Sequence, residues 1–305
     1  MKILLTGGAG FIGSHVLDMY LREGHEVLVY DNLSNGVRAN VPSGVKLVVG
    51  DITDFVLMES VVKDYRPDII NHHAAQIDVV RSLEDPLYDI EVNLYATVNL
   101  IKLAKKYGVK RFIFASSGGA IYGDVPDGVI PDENYLPHPM NPYGANKLGV
   151  DMYLTFMGIS YVSLRYANIY GPRQGLGGEA GVIGKFISRA LRHEPLYVFG
   201  DGYQTRDYTY VEDVAYANVL ALEDLPDGIY NVSTGTQSTI WDIIDTIKQE
   251  IPNVRWEFRP ARPGDVVRSV MSSKKLRSYG WEPKISLTEG IRRTISWWRT
   301  HRNLV

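Results

Sequence analysis

The sequence predicts an α/β fold in which helices cover both faces of a parallel sheet. Three observations predict it. Short apolar runs of strand type alternate with helically spaced segments through the first half. A glycine-rich turn, Gly7-Gly8-Ala9-Gly10, joins the first of those runs to the first of those helices. With 305 residues, the chain can bury a large core and still carry a second, smaller unit.

Lys2-Ile3-Leu4-Leu5-Thr6 is the first strand, and Phe11-Ile12-Gly13-Ser14-His15-Val16-Leu17 opens the first helix. Between them, Gly8-x-Gly10-x-x-Gly13 has the spacing and the context of a dinucleotide fingerprint. One glycine permits the tight turn, one lets backbone approach a pyrophosphate, and one lets helix pack on strand. The pyrophosphate would sit on the unpaired N–H groups at the helix start. Gly7, Gly10, Phe11, Ile12 and Gly13 are therefore candidate cofactor contacts. A bare three-glycine match is weak in a chain with 29 Gly, so the flanking strand, helix and acid carry the reading. The acid is Asp31, at the end of Val27-Leu28-Val29-Tyr30 and followed by Asn32. A carboxylate there accepts both ribose hydroxyls and repels a 2′-phosphate, which favours NAD over NADP. The architecture is thus Rossmann-type.

The third strand, Lys46-Leu47-Val48-Val49, ends at Gly50-Asp51-Ile52. Residues 54–64 have helical spacing, with Asp54 as cap. Residues 68–73 form the fourth strand and open onto Ala74-Ala75-Gln76. Residues 86–107 form one long helix, and Arg111-Phe112-Ile113-Phe114-Ala115 is the fifth strand, leading to Ser116-Ser117. Ligands in such a sheet gather at the carboxyl ends of strands. The Pro- and Gly-rich segment 123–142 is long for a loop, which hints at function. A helix starts near Tyr143, and Tyr161-Val162-Ser163-Leu164-Arg165 is the sixth strand. From Ala167 the loops lengthen and Arg and Gly cluster. Residues 1–166, with about 207–230, are assigned to an NAD-binding Rossmann domain, and 167–206 with 231–305 to a smaller substrate domain.

Bulk composition excludes several classes. Apolar residues make up 45% and charged residues 22%, which is ordinary for a globular protein. A net charge of −3 gives no reason to expect nucleic acid or an anionic membrane as partner. There is no long apolar segment and Met1 leads directly into a strand, so the expected place is the cytoplasm. The absence of Cys rules out disulfides, thiolate catalysis and cysteine-ligated zinc. No His pair has the helical spacing of metal ligands, so no metal is expected. His72 and His73 are neighbours on a strand and point opposite ways. Trp241 and Trp297-Trp298 read as packing residues.

Tyr143-Gly144-Ala145-Asn146-Lys147 is the sharpest catalytic candidate. A four-residue offset on a helix puts Tyr143 and Lys147 on one face. A free phenol, with a pKa of about 10, is a poor base at neutral pH. A nearby ammonium and a positive nicotinamide ring can lower it. With 20 Tyr, roughly one such spacing arises by chance, so position decides. This helix follows the strand that ends in Ser116-Ser117.

Together these features resemble the extended short-chain dehydrogenase/reductases, and within them the UDP-glucose (UDP-galactose) 4-epimerase family. Phe114 to Gly123 is similar to its serine/threonine segment, and Arg165 to Arg173 to its sugar-nucleotide strand. Gly200-Asp201-Gly202, Arg206-Asp207-Tyr208, Val211-Glu212-Asp213-Val214 and Arg262-Pro263-Gly264-Asp265 match as well. The resemblance implies that Tyr143 is the general base, that Lys147 tunes it and holds the nicotinamide ribose, and that Ser117 binds the sugar 4-hydroxyl. It implies that Asp51 and Ile52 frame the adenine, while Ala74, Ala75, Gln76 and Asn93 line the cofactor. Asn168, Arg206 and Arg262 would hold the substrate diphosphate, and Asp265 the nucleotide ribose. The implied reaction is NAD-dependent 4-epimerisation of a UDP-hexose through a 4-keto sugar, by a homodimer. The sequence departs from the family in three places. The segment between Tyr153 and Tyr161 is about a helical turn short, Ile77 stands where a Lys is common, and Ser269 stands where a bulky Tyr restricts the sugar. A small residue at 269 implies room for an N-acetyl group. Related dehydratases and decarboxylases place a carboxylate just after the strand-end hydroxyl residue, where this chain has Gly118-Gly119-Ala120. Epimerisation of another nucleotide sugar such as UDP-glucuronate, or a non-catalytic NAD- or sugar-nucleotide-binding role, are the alternatives.

Overall fold

The computed structural model describes residues 1–175, 181–261 and 266–301. Seven strands form its main sheet: β1 (Lys2–Thr6), β2 (Glu26–Asp31), β3 (Lys46–Val49), β4 (Ile69–His72), β5 (Arg111–Ser117), β6 (Tyr161–Tyr166) and β7 (Gly228–Val232). Their order is β7-β6-β5-β4-β1-β2-β3, and every pairing is parallel. The order reverses between β1 and β4. A crevice therefore opens there at the carboxyl ends, the position that favours a ligand.

One face of the sheet is covered by the helix Phe11–Arg22 and by Val211–Glu223, which pack against each other. Val16, Leu17 and Tyr20 of the first meet Val214, Ala217 and Ala221 of the second in one apolar cluster. Each large aliphatic side chain buried in this way contributes about 1.5–3 kcal/mol. The other face is covered by Phe55–Tyr65, Ala96–Lys106 and Pro142–Phe156. Asp54 caps the first of these by accepting from the Leu57 N–H at 3.0 Å, and the helix runs one residue beyond 64. Asn141 caps the last, accepting from the Gly144 N–H at 2.8 Å, and Pro142 stands at its first position.

The predicted single helix over 86–107 is a composite. Pro86–Asp89 and Ala96–Lys106 are α-helical, and Ile90–Tyr95 between them is a π segment. Apolar periodicity cannot reveal such a widened turn, which adds a residue without breaking the pattern. A short helix, Val79–Glu84, precedes it. After Phe156 the chain turns through Gly158 at φ +62° and enters β6 at Tyr161, so only 157–160 connect helix to strand.

A third apolar cluster lies outside the main sheet. It joins Ile183, Phe186 and Ile187 to Ile243, Ile244 and Ile247, with Ile291, Ile295 and Trp298 completing it. Small sheets edge this unit. Thr205–Arg206 pairs with Ser238–Thr239 and Arg268–Ser269, while Leu196–Phe199 pairs with Trp256–Arg259. No described helix is long and apolar enough to cross a membrane.

Candidate active site

The glycine turn is shaped by contacts that leave no room for side chains. Gly7 has φ +68°, and a Cβ there would stand 2.6 Å from the Ala74 N. A Cβ on Gly13 would overlap the carbonyl oxygen of Gly7. The helix from Phe11 thus starts hard against the turn. Gly10 is its N-cap and brings no side chain to satisfy the first N–H groups. Those groups, with the positive end of the helix dipole, suit a pyrophosphate. The cradle fits a dinucleotide and would be filled by any side chain at Gly7 or Gly13.

Asp31 ends β2 and is buried. It accepts from the Ala9 N–H at 3.0 Å and the Leu33 N–H at 2.8 Å, so it fixes the glycine turn as well as its own. Each carboxylate oxygen keeps lone-pair capacity for a ribose hydroxyl. Gly36 lies against it, and a Cβ there would be 2.7 Å from Asp31 Oδ1. Asn32 donates to Asp51 Oδ2 at 2.7 Å, and the Thr53 N–H and hydroxyl donate to Oδ1. Burial raises the Asp51 pKa, but these donors outweigh it and hold the carboxyl below its ordinary range. Ile52 beside it is buried.

The loop after β4 forms the other wall. His72 is neutral, its pKa pushed well down by burial. Its Nε2 lies 2.9 Å from Thr97 Oγ1, which donates to the Asn93 carbonyl, and its Nδ1 lies 2.6 Å from Thr6 Oγ1. Thr97 has spent its proton, so Nε2 carries the hydrogen and Nδ1 accepts from Thr6. The Thr6 hydroxyl also accepts from the Ala74 N–H at 3.3 Å. His73 points the other way, 3.3 Å from Asn218 Oδ1 and stacked on Tyr166. Asn93 is buried. Its Oδ1 accepts from the Gln76 N–H at 3.0 Å, and its Nδ2 donates to the Gln76 carbonyl and to Asp89. Asn93 thus clamps the backbone of the loop that carries Ala74, Ala75 and Gln76, and its Oδ1 keeps one lone pair.

The catalytic candidates meet at the end of β5. A Cβ on Gly144 would overlap the carbonyl oxygen of Ala120, so the helix bearing Tyr143 starts directly against the turn that follows Ser117. Lys147 is 3% exposed. Its Nζ donates to the Ala115 carbonyl at 2.9 Å and stands 4.7 Å from the Phe114 ring and 5.8 Å from the Tyr143 ring. Burial lowers its pKa to about 8, against the opposing pull of Asp151 and Asp89. It remains an ammonium at neutral pH and can favour a Tyr143 phenolate. Ser117 opens the short helix Gly118–Ile121 without a side-chain capping bond, whereas the Ser116 hydroxyl is buried and has no hydrogen-bond partner among the described residues.

The sugar side is assembled from distant segments. Ser269 is opposite Arg206 in the three-stranded patch, and its hydroxyl lies 3.8 Å from where a Gly119 Cβ would be. Met271 packs so closely on Gly118 that a Cβ there would meet its sulfur. Arg206 is half-buried and donates to the Thr205 carbonyl at 2.9 Å. The Asn168 N–H donates to the Asp207 carbonyl at 3.0 Å. Asp207 is buried and its pKa is raised to about 6 by that burial, although Thr234 and Gly235 donate to it. Arg262 and Asp265 lie outside the described residues. No cluster of His, Cys, Asp or Glu among the described residues could hold a metal.

Several neighbours of the site carry no signal in the sequence. Gly36, Asp89, Asn146 and Met271 belong to no motif and act through contacts that only the fold creates. The Arg165 Nε donates to Asp151 Oδ2 at 2.8 Å, a buried ion pair beneath Lys147, and Arg165 Nη1 donates to the Tyr122 hydroxyl at 2.9 Å.

Comparison with known proteins identifies the family. Residues 3–233 match the NAD dependent epimerase/dehydratase family. The chain is 42% identical over 306 residues to a putative UDP-glucose 4-epimerase of Methanocaldococcus jannaschii, covering 98% of this chain and 99% of that one. The UDP-glucose 4-epimerase of Thermus thermophilus, solved in complex with NAD, superposes with a TM-score of 0.94 at 44% identity, covering 99% of this chain and 100% of that one. The UDP-N-acetylglucosamine 4-epimerase of Methanobrevibacter ruminantium superposes with a TM-score of 0.91 at 33% identity, covering 98% of both chains. With its glycine cradle, its Tyr143–Lys147 pair and these full-length likenesses, the chain belongs to the NAD dependent epimerase/dehydratase family.

Proposed function

We propose that this protein interconverts UDP-galactose and UDP-glucose by 4-epimerisation. The observation that carries the reading is the placing of Tyr143 and the buried Lys147 at the strand end that bears Ser117. Gly7, Gly10, Phe11, Ile12, Gly13, Asp31 and the Ala74–Gln76 loop would hold NAD, which supplies a reversible hydride acceptor. Ser117 would orient the sugar 4-hydroxyl. Tyr143, with its phenolate favoured by Lys147, would take the hydroxyl proton while C4 loses hydride, leaving a 4-keto sugar. Asn168 and Arg206, with Arg262, would hold the diphosphate while the keto sugar rotates about its link to that anchor. Tyr143 would then return the proton as C4 regains hydride on the opposite face. The absence of a carboxylate at Gly118-Gly119-Ala120 weighs against elimination chemistry.

Ser269 beside Gly119 favours a roomy sugar pocket, which supports acceptance of the N-acetylated pair as well. Proton NMR of the purified protein with UDP-galactose, and in parallel with UDP-N-acetylgalactosamine, tests both statements. New anomeric signals are expected in each tube. Silence with UDP-galactose while NAD is bound rejects the main reading, and silence with the second sugar alone rejects the wider pocket.

The protein is also expected to act as a homodimer. Leu87 and Tyr95 on the long composite helix, and Met152, Tyr153 and Phe156 on the Tyr143 helix, are large apolar side chains left exposed on helices that pack side by side. Sedimentation should give twice the chain mass, and Phe156→Glu should return it to one.

A further inference from the structure

Asp89 is a buried carboxylate, 0% exposed, on the composite helix just before its π segment. Among the described residues no cation makes a direct ion pair with it, although the Lys147 ammonium feels its charge. Three side-chain amides satisfy it instead. Gln76 Nε2 and Asn93 Nδ2 each donate to its Oδ1 at 2.9 Å, and Asn146 Nδ2 donates to its Oδ2 at 2.6 Å. A carboxylate only accepts, so it also fixes which way each amide faces. Its two oxygens face two different walls of the groove. Oδ1 holds Gln76 directly and Asn93, which clamps the Gln76 backbone. Oδ2 holds Asn146, the residue before Lys147, on the helix that carries Tyr143.

We infer that Asp89 is a positioning residue that sets the spacing between the cofactor loop at Ala74–Gln76 and the Tyr143–Lys147 helix. The inference rests on the functional reading above. The reacting carbon must fit between a nicotinamide on one wall and a phenol on the other. One buried group bonded to both walls fixes that gap more firmly than either wall's own packing. Asp89 is wholly buried and offers no surface to a sugar or diphosphate, so its effect should fall on kcat rather than on KM for the UDP-sugar.

The test uses Asp89→Leu and the exchange Asp89→Asn with Asn146→Asp. In the single variant the side chain at 89 accepts from none of the three amides, and both joints open. In the exchange, the new amide oxygen at 89 accepts from Gln76 and Asn93, and its N–H₂ donates to the new carboxylate at 146. Every bond then returns, with the net charge unchanged. The single variant is expected to lose about 10–100-fold in kcat with KM little changed, and to retain less NAD through gel filtration. The exchange is expected to recover most of both. Wild-type kcat and NAD retention in Asp89→Leu would overturn the inference. So would an exchange variant that melts like wild type yet stays as impaired as the single variant. If Asp89→Leu does not fold, Asn146→Ala breaks the Oδ2 joint alone, and unchanged kcat there overturns the inference. If the wild type turns over no UDP-sugar, the functional reading fails, while NAD retention in the three proteins still decides the role of Asp89.

Discussion

The two walls of the groove are built by different means. On the nucleotide side, backbone does the shaping. Gly7 and Gly13 are required because main chain lies where their side chains would be, and Asp31 stands at the end of a strand in a parallel sheet. On the sugar side, side chains arrive from far apart. Arg206 and Ser269 meet only because two-residue strands pair across 63 positions of sequence. The difference concerns tolerance. A site made of backbone admits one residue type at each point. A site made of converging side chains can change its ligand by changing one residue, as proposed for Ser269.

The largest expected effect tests the reacting wall. Tyr143→Phe removes the hydroxyl proposed to transfer the proton and leaves the cradle intact. Turnover should fall by about 10²–10⁴-fold while bound NAD is retained. Loss of NAD in step with turnover would mean that the tyrosine serves binding instead. Next is the backbone-built wall. Gly13→Ala drives a methyl into the Gly7 carbonyl, so it should cost about 1–3 kcal/mol of stability and most of the NAD. Thermal melting with and without NAD would check it, and a variant that melts and binds like wild type would break the contrast drawn above.

The smallest effect sharpens the description of the sugar side. Burial raises the Asp207 pKa from its ordinary 3.8 to about 6. Between those two values the folded protein therefore holds a proton that the unfolded chain has released. The stability this protonation confers is complete below about pH 4 and lost as pH rises through about 6. Asp207→Asn abolishes the titration, so the change in melting temperature between pH 4 and 6 should be less negative than in wild type. Identical pH trends would contradict the assignment.

The sheet was largely legible in the sequence because parallel strands leave contiguous apolar runs. All six predicted strands are present, and the cap at Asp54 is where a short polar side chain before a helical run should be. The π segment was not legible, because the apolar spacing of 86–107 continues through it. Nor were the small sheets, since Thr205–Arg206 and Arg268–Ser269 are too short to show any period. The Tyr143–Lys147 pair could be read because helical geometry fixes a four-residue offset. Asp89 could not, because two of its three partners lie 13 and 57 positions away and only tertiary packing brings them together. Nor was the part Asn93 plays in the fold legible, since its bonds to the Gln76 backbone and to Asp89 depend on tertiary packing.

The most direct test of the account follows C4 of the sugar. The proposed reaction removes hydride from that carbon and returns the same hydride, whereas abstraction and return of a C4 proton would exchange it with solvent. Purified protein is incubated with UDP-galactose in D₂O, and the UDP-glucose formed is read by proton NMR at H4. The account predicts full proton intensity at C4 of the product. Deuterium at C4, or no UDP-glucose from protein that carries NAD, would contradict it.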